Sequence, residues 1–218
     1  EPVFIIAPNP ESARKVISET RQLAMENGRN PDDIKFFQGL SFVVGETEEE
    51  ALQKDTELDK KIDLDMMVAH ISGSFGKDLG HLPLDTPLEE VQTESTRSIA
   101  EWVRQSTPGR LPTVADLARF QGKLTRIVGT PEKIADELAR WSEAGVNGIN
   151  VINATIPGSY EEFIDHVLPV LRKRGLARQN NKSTGTLRNR LFGENRLNER
   201  HAAAKYRGAF SKTPASKS

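Results

Sequence analysis

The stretch Ile34-Lys-Phe-Phe-Gln-Gly-Leu-Ser-Phe-Val-Val44 constrains this chain more than any other feature. Its near-continuous apolar character predicts a strand buried on both faces, as in a parallel sheet. Gly45 closes it, and Thr47 with Glu50 form a T-x-x-E capping pattern that opens a helix with Ala51, Leu58 and Ile62 on its inner side. The same grammar recurs on both sides. Val3–Ala7 is a short β-branched run that ends at Pro8-Asn9-Pro10, where Asn9 caps a helix and Pro10 takes its first position. Val16, Ile17, Leu23 and Ala24 then recur at helical spacing until Gly28. Regular order returns at Leu124–Val128, and Gly129-Thr130-Pro131 starts a helix with Ile134, Leu138 and Trp141 on one face. Gly148–Asn153 is a third buried strand. Ser159 and Glu162 form a second capping box, before a helix that buries Phe163, Ile164, Val167, Leu168 and Leu171. Pro169 should kink or break that helix. Alternating helices and buried strands mean α/β with a parallel sheet.

Residues 63–125 interrupt the rhythm, with Gly73, Gly76, Gly80, Pro83 and Pro87 and only two short helices, around Ile99–Val103 and from Thr113 to Phe120. Three clear strands neither close a barrel nor protect the edges of an open sheet. With Glu1 standing first instead of a methionine, the chain reads as a piece of a larger fold. Composition narrows the chemistry. At 28% charged residues the body is soluble and compact. No apolar run approaches the roughly 18 residues of a membrane-spanning helix. The absence of cysteine excludes disulfides, thiolate metal sites and cysteine nucleophiles, and the four histidines show no metal-ligand spacing.

Charge is unevenly spread. From Arg172 onward there are 13 Lys+Arg and 2 acids, against 17 and 29 before it. Such a split fits a basic nucleic-acid arm, or a tail folded back over an acidic body. The apolar tail residues Leu187, Leu191, Phe192, Leu197, Tyr206 and Phe210 favour the second reading, with 176–210 packing back and 211–218 disordered. An aromatic fraction of 6% without a stacking motif argues against RNA binding.

Three strings in order, V-V-G-E-T-E-E-E-A, V-G-T-P-E-K-I-A-D-E-L-x-R-W-x-E-A-G-V-N-G-I-N-V and F-I-D-H-V-L-P-V-L-R-K-R-G-L, carry a resemblance. The tail strings T-L-R-N-R-L-F-G and H-A-A-A-K-Y-R extend it over roughly residues 3–210. Each is weak alone; together the chain resembles the C-terminal half of flavin-dependent monooxygenases of the bacterial-luciferase superfamily. The branch is that of the nitrilotriacetate, dibenzothiophene-sulfone and long-chain alkane monooxygenases. The resemblance implies an eight-stranded (β/α) TIM barrel, of which 1–175, with insertion 63–125, supplies about the last three strands. It implies a cytoplasmic enzyme, homo-oligomeric when complete. It also implies oxygenation of a small organic substrate by O2 and reduced FMN, with the FMN delivered by a partner flavin reductase. The family's phosphate-holding Gln-Ala-Gly-x-Ser-like turn would fall just before Glu1, so this portion is expected to be inactive by itself. The alternative is a non-catalytic half-barrel whose basic tail contacts a partner or nucleic acid.

In a (β/α) barrel the chemistry sits at the C-terminal ends of the strands. His70 lies in the excursion that can cover that mouth, and it matches a histidine of the alkane-oxidising relatives. It could hydrogen-bond an oxygen on flavin or substrate, or move a proton near neutral pH, and is taken as the catalytic candidate; otherwise it satisfies a loop carbonyl. Asn153, at the end of the last strand, points to the mouth or caps the following turn. Gln38, mid-strand, faces the barrel interior or a helix. Asn153 and Gln38 are the substrate- or flavin-pocket candidates. His81, His166 and His201 read as surface or tail residues, and no metal site is expected.

Overall fold

The computed structural model describes residues 1–91, 97–179 and 185–209. They form two compact units, one of Pro2–Ala177 and one of the residues from Arg178 onward together with Glu1.

The larger unit is built on four parallel strands: β1 (Pro2–Ile5), β2 (Lys35–Val44), β3 (Arg126–Gly129) and β4 (Gly148–Ile152). β2 is the axis. Its residues 35–38 pair with β1 and 41–44 with β3, while 37–41 pair with β4. Since the β4 register overlaps both others, β1 and β3 lie end to end along one edge of β2 and β4 occupies the other. β3 is therefore an appended strand, and the sheet is three strands wide.

Helices α1 (Pro10–Glu26), α2 (Glu48–Asp59) and α6 (Pro131–Glu143) follow β1, β2 and β3. Each starts at the expected cap. Asn9 accepts from the Ser12 amide at 2.8 Å, Thr47 from Glu50 at 3.1 Å and Thr130 from Lys133 at 3.3 Å. The Glu50 carboxylate takes the amide of Glu46, one residue before the cap, so the Thr47 box is not reciprocal. The last helix starts one residue earlier than expected. Gly158 is its cap, Glu161 accepts the Gly158 amide, and Ser159 is buried inside the first turn. It runs as α7 (Ser159–Glu162), a π-helical turn Phe163–Val167 and α8 (Leu168–Lys173). The Leu168 amide reaches back to the Phe163 carbonyl, and this wider turn absorbs Pro169 without ending the helix. The register change also leaves Ile164 exposed, contrary to expectation, while Phe163, Val167 and Leu171 are buried. On α1, Val16 and Leu23 are exposed too; Ala13, Ile17 and Ala24 face inward.

One core joins these helices to a single face of the sheet: Phe36, Leu40, Phe42 and Val44 pack with Ile17, Ile134, Leu138, Trp141 and Val167. The rings of Phe42 and Phe163 lie 4.7 Å apart. The excursion holds a second core of its own. Helices α3 (Leu64–Phe75), α4 (Arg97–Ser106) and α5 (Val114–Lys123) enclose Val68, Ile71, Leu79, Val103, Val114 and Leu117. α3 corrects the expectation of irregular chain there. Gly73 sits inside it and Gly76 ends it at φ 62°, a left-handed position suited to glycine. Arg126 ties this lobe to the sheet. Its guanidinium donates to Asp55 at 2.7 Å and Asp59 at 3.0 Å on α2, and to the Gly122 carbonyl on α5.

The smaller unit contains α9 (Leu187–Phe192), capped by Thr186 and ended by Gly193 at φ 73°, and a 3-10 turn Ala202–Tyr206. Leu187 and Tyr206, expected to be buried, are exposed. Arg188 and Lys205 stack instead over the rings of Phe192 and Tyr206. Phe210 and the 211–218 end expected to be disordered lie outside the described residues.

Candidate functional site

Alternation along the strands assigns two faces. Phe36, Gln38, Leu40 and Phe42 face the helices, so Phe37, Gly39, Ser41 and Val43 face the other way. The glycines locate this inner face. A Cβ on Gly39 would lie 2.8 Å from Ile152 Cδ1 and 2.9 Å from the Phe4 ring, and one on Gly148 would lie 2.6 Å from the Phe37 ring. Phe4, Ile6 and Ile152 are exposed, and so is Asn150 between Gly148 and Ile152. Parallel sheets normally cover both faces. Here Phe4, Ile6 and Ile152 form an apolar floor that the described residues leave open, while Ser41 and Val43, farther along the same face of β2, are buried.

At the C-terminal end of β4, Asn153 is half-buried and its Oδ1 faces the Tyr160 hydroxyl at 3.4 Å. The loop between them is pinned: Ser159 Oγ accepts the amides of Ala154 at 3.1 Å and Thr155 at 2.8 Å. Beside it, α2 and this loop enclose a cleft of about 460 Å³ with Phe42, Val43 and Leu58 in its wall. Lys54 lies in the same cleft, donating to the Val44 carbonyl at 2.8 Å and pairing with Glu162 and Glu50. Burial works against the Lys54 charge, but the bonds to Glu50 and Glu162 outweigh it and raise its pKa. The Glu46 amide, then Lys54, hold Glu50 below the usual carboxylate range. These charges are spent on one another.

The sequence-derived candidates do not converge. Gln38 is a correction: it faces the helices, where its Oε1 accepts the Ala7 amide at 3.0 Å and its Nε2 donates to the carbonyls of Ala7 and Gly39. The two bonds to Ala7 hold the turn from β1 to α1, and the bond to Gly39 stays within β2. His70 is exposed on α3, in the helical lobe. Among the described residues no hydrogen bond links His70, Gln38 or Asn153 to one another. Tyr160 and Asn150 were missed. The strict alternation of Gly148-Ile-Asn-Val-Ile152 would have placed Asn150 on the inner face, and Tyr160 follows the Pro-Gly-Ser turn that returns the chain to Asn153. No group of three His, Asp or Glu side chains among the described residues could hold a metal ion, and no helix among them is long and apolar enough to cross a membrane.

Residues 1–148 match the family described as luciferase-like monooxygenase. The chain belongs to the luciferase-like monooxygenase family. It is 37% identical over 216 residues to the dimethyl-sulfide monooxygenase of Hyphomicrobium sulfonivorans, covering 96% of this chain and 45% of that protein. It is 34% identical to the long-chain alkane monooxygenase of Geobacillus thermodenitrificans strain NG80-2, covering 97% and 45%. The crystal structure of DmoA from Hyphomicrobium sulfonivorans superimposes with a TM-score of 0.81 at 36% identity, covering 97% of this chain and 46% of that one. The fold is therefore that of the family's TIM barrels, present in part. The chain spans about half the length of the relatives it matches.

Proposed function

We propose that this chain supplies the C-terminal strands of an FMN-dependent monooxygenase that oxygenates a small organic molecule, and that further strands cover its inner face. The observation that carries this reading is the open apolar floor of Phe4, Ile6 and Ile152 on a family sheet only three strands wide. The residues present suit a flavin ring in part. An uncharged apolar floor with the Asn153 amide and Tyr160 phenol at its rim accepts a flat neutral ring with polar edges. The cleft beside them does not suit the phosphate: its Lys54 is already bonded to two carboxylates and a carbonyl. The phosphate would thus be held outside this cleft.

Reduced FMN, when bound, supplies the electrons for O2 activation, and a separate flavin reductase would deliver it. A relative named nitrilotriacetate monooxygenase component A supports such a divided system. This chain's own residues do three things. The apolar floor excludes water, Asn153 orients a neutral group at the rim, and the helical lobe with exposed His70 is placed in sequence to cover the mouth. The test is isotopic. The chain, joined to the strands that complete its barrel and given reduced FMN, should place one atom of ¹⁸O2 in an organic product. Reduced-FMN oxidation that leaves every organic probe unlabelled would reject the reading.

A further inference from the structure

We propose that Tyr160 is a positioning residue for the Asn153 carboxamide, and that the pair is the hydrogen-bonding element for an uncharged ligand at the rim of the sheet. The inference rests on the oxygenase reading above. Asn153 follows the last residue of β4, where a parallel α/β sheet presents its ligands. With its Oδ1 facing the phenol at 3.4 Å, both Nδ2 hydrogens are without a partner among the described residues. A carboxamide held at one end and open at the other is a directed donor. The 3.4 Å separation is long for O–H···O and leaves room to shorten when a ligand engages Nδ2.

The surroundings support recognition over folding. The loop is held at its base by Ser159, 3% exposed and bonded to two loop amides, and by Glu161 on the Gly158 amide. Yet this rigid bracket carries Ile156 at 80% exposure and Tyr160 at 46%. Ordering a loop costs conformational entropy, and here that order holds an isoleucine and a phenol outward. Neither they nor Ile152 and Asn153 bear charge at neutral pH. The matching ligand is a neutral acceptor group on an apolar body. A flavin ring edge and an organic substrate both have that chemistry.

The experiment compares wild type, Tyr160→Phe, Asn153→Ala and the double variant in the barrel-completed protein. One arm titrates FMN and the other titrates dibenzothiophene sulfone, a neutral acceptor on an apolar body, at saturating FMN. Loss of one neutral hydrogen bond predicts that Tyr160→Phe weakens one of the two about 3- to 10-fold. The arm that moves names the source. The double variant should match Asn153→Ala alone, and Tm should hold. Additive effects, unchanged affinity in both arms, or weakening only alongside a lower Tm would overturn the proposal. In the 218-residue chain, the Asn153 carboxamide ¹H–¹⁵N signals should shift in Tyr160→Phe; unshifted signals also overturn it. Failure of the wild type to bind either probe would reject the oxygenase reading, leaving the carboxamide signals to judge the pair.

Discussion

Single side chains here divide into those that hold the fold and those left open at the rim. Asp116 belongs to the first group. It is nearly fully buried, takes a bidentate pair from Arg110, and closes the Thr113 capping box. The Arg110 guanidinium first, then the Thr113 amide and hydroxyl, outweigh burial and pull its pKa from 3.8 to about 2. A depressed carboxylate stabilises the fold above its unfolded pKa and loses that contribution as pH falls through the folded value. The excursion lobe should therefore weaken between about pH 4 and 2, by about 1–2 kcal/mol once the exposure of Arg110 is allowed for. An Asp116→Asn chain monitored through acid titration should lack this step. Arg126, with two carboxylates and a carbonyl, is the stronger tie, and Arg126→Ala should cost about 2–3 kcal/mol in urea unfolding. Gln38 shows the limit of reading residues alone. Its type suited a pocket, but strand parity directs it to the helices, and parity depends on which face the flanking phenylalanines choose.

Elements were more legible than residues. The strands, the three N-caps and the faces of α6 follow from turn chemistry and local periodicity, which need no distant partner. Trp141 is 3% exposed against the sheet, on the face that this periodicity predicts, and Trp141→Ala should cost about 3–5 kcal/mol. A loss below about 1 kcal/mol would contradict the α6 packing. What escaped was set by tertiary context. α3 was hidden by glycines read as breaks, although Leu64, Met67, Val68 and Ile71 keep helical spacing. The π-turn before Pro169 has no local signature, and it turns Ile164 outward. The tail residues Leu187 and Tyr206 had apolar bodies without a periodic face, so composition alone suggested a burial they do not have.

The larger unit presents a family sheet with one face packed on helices and the other partly open at Phe4, Ile6 and Ile152. Its order of strands and helices was readable in sequence, and so was the small number of strands. We propose that the described residues offer a ring floor and a rim, with no seat for a phosphate among them. Fluorescence titration of the 218-residue chain with FMN tests it most directly. Weak binding, tightening by orders of magnitude when the barrel-completing strands are added, is the expected result; sub-micromolar binding by the chain alone would contradict it.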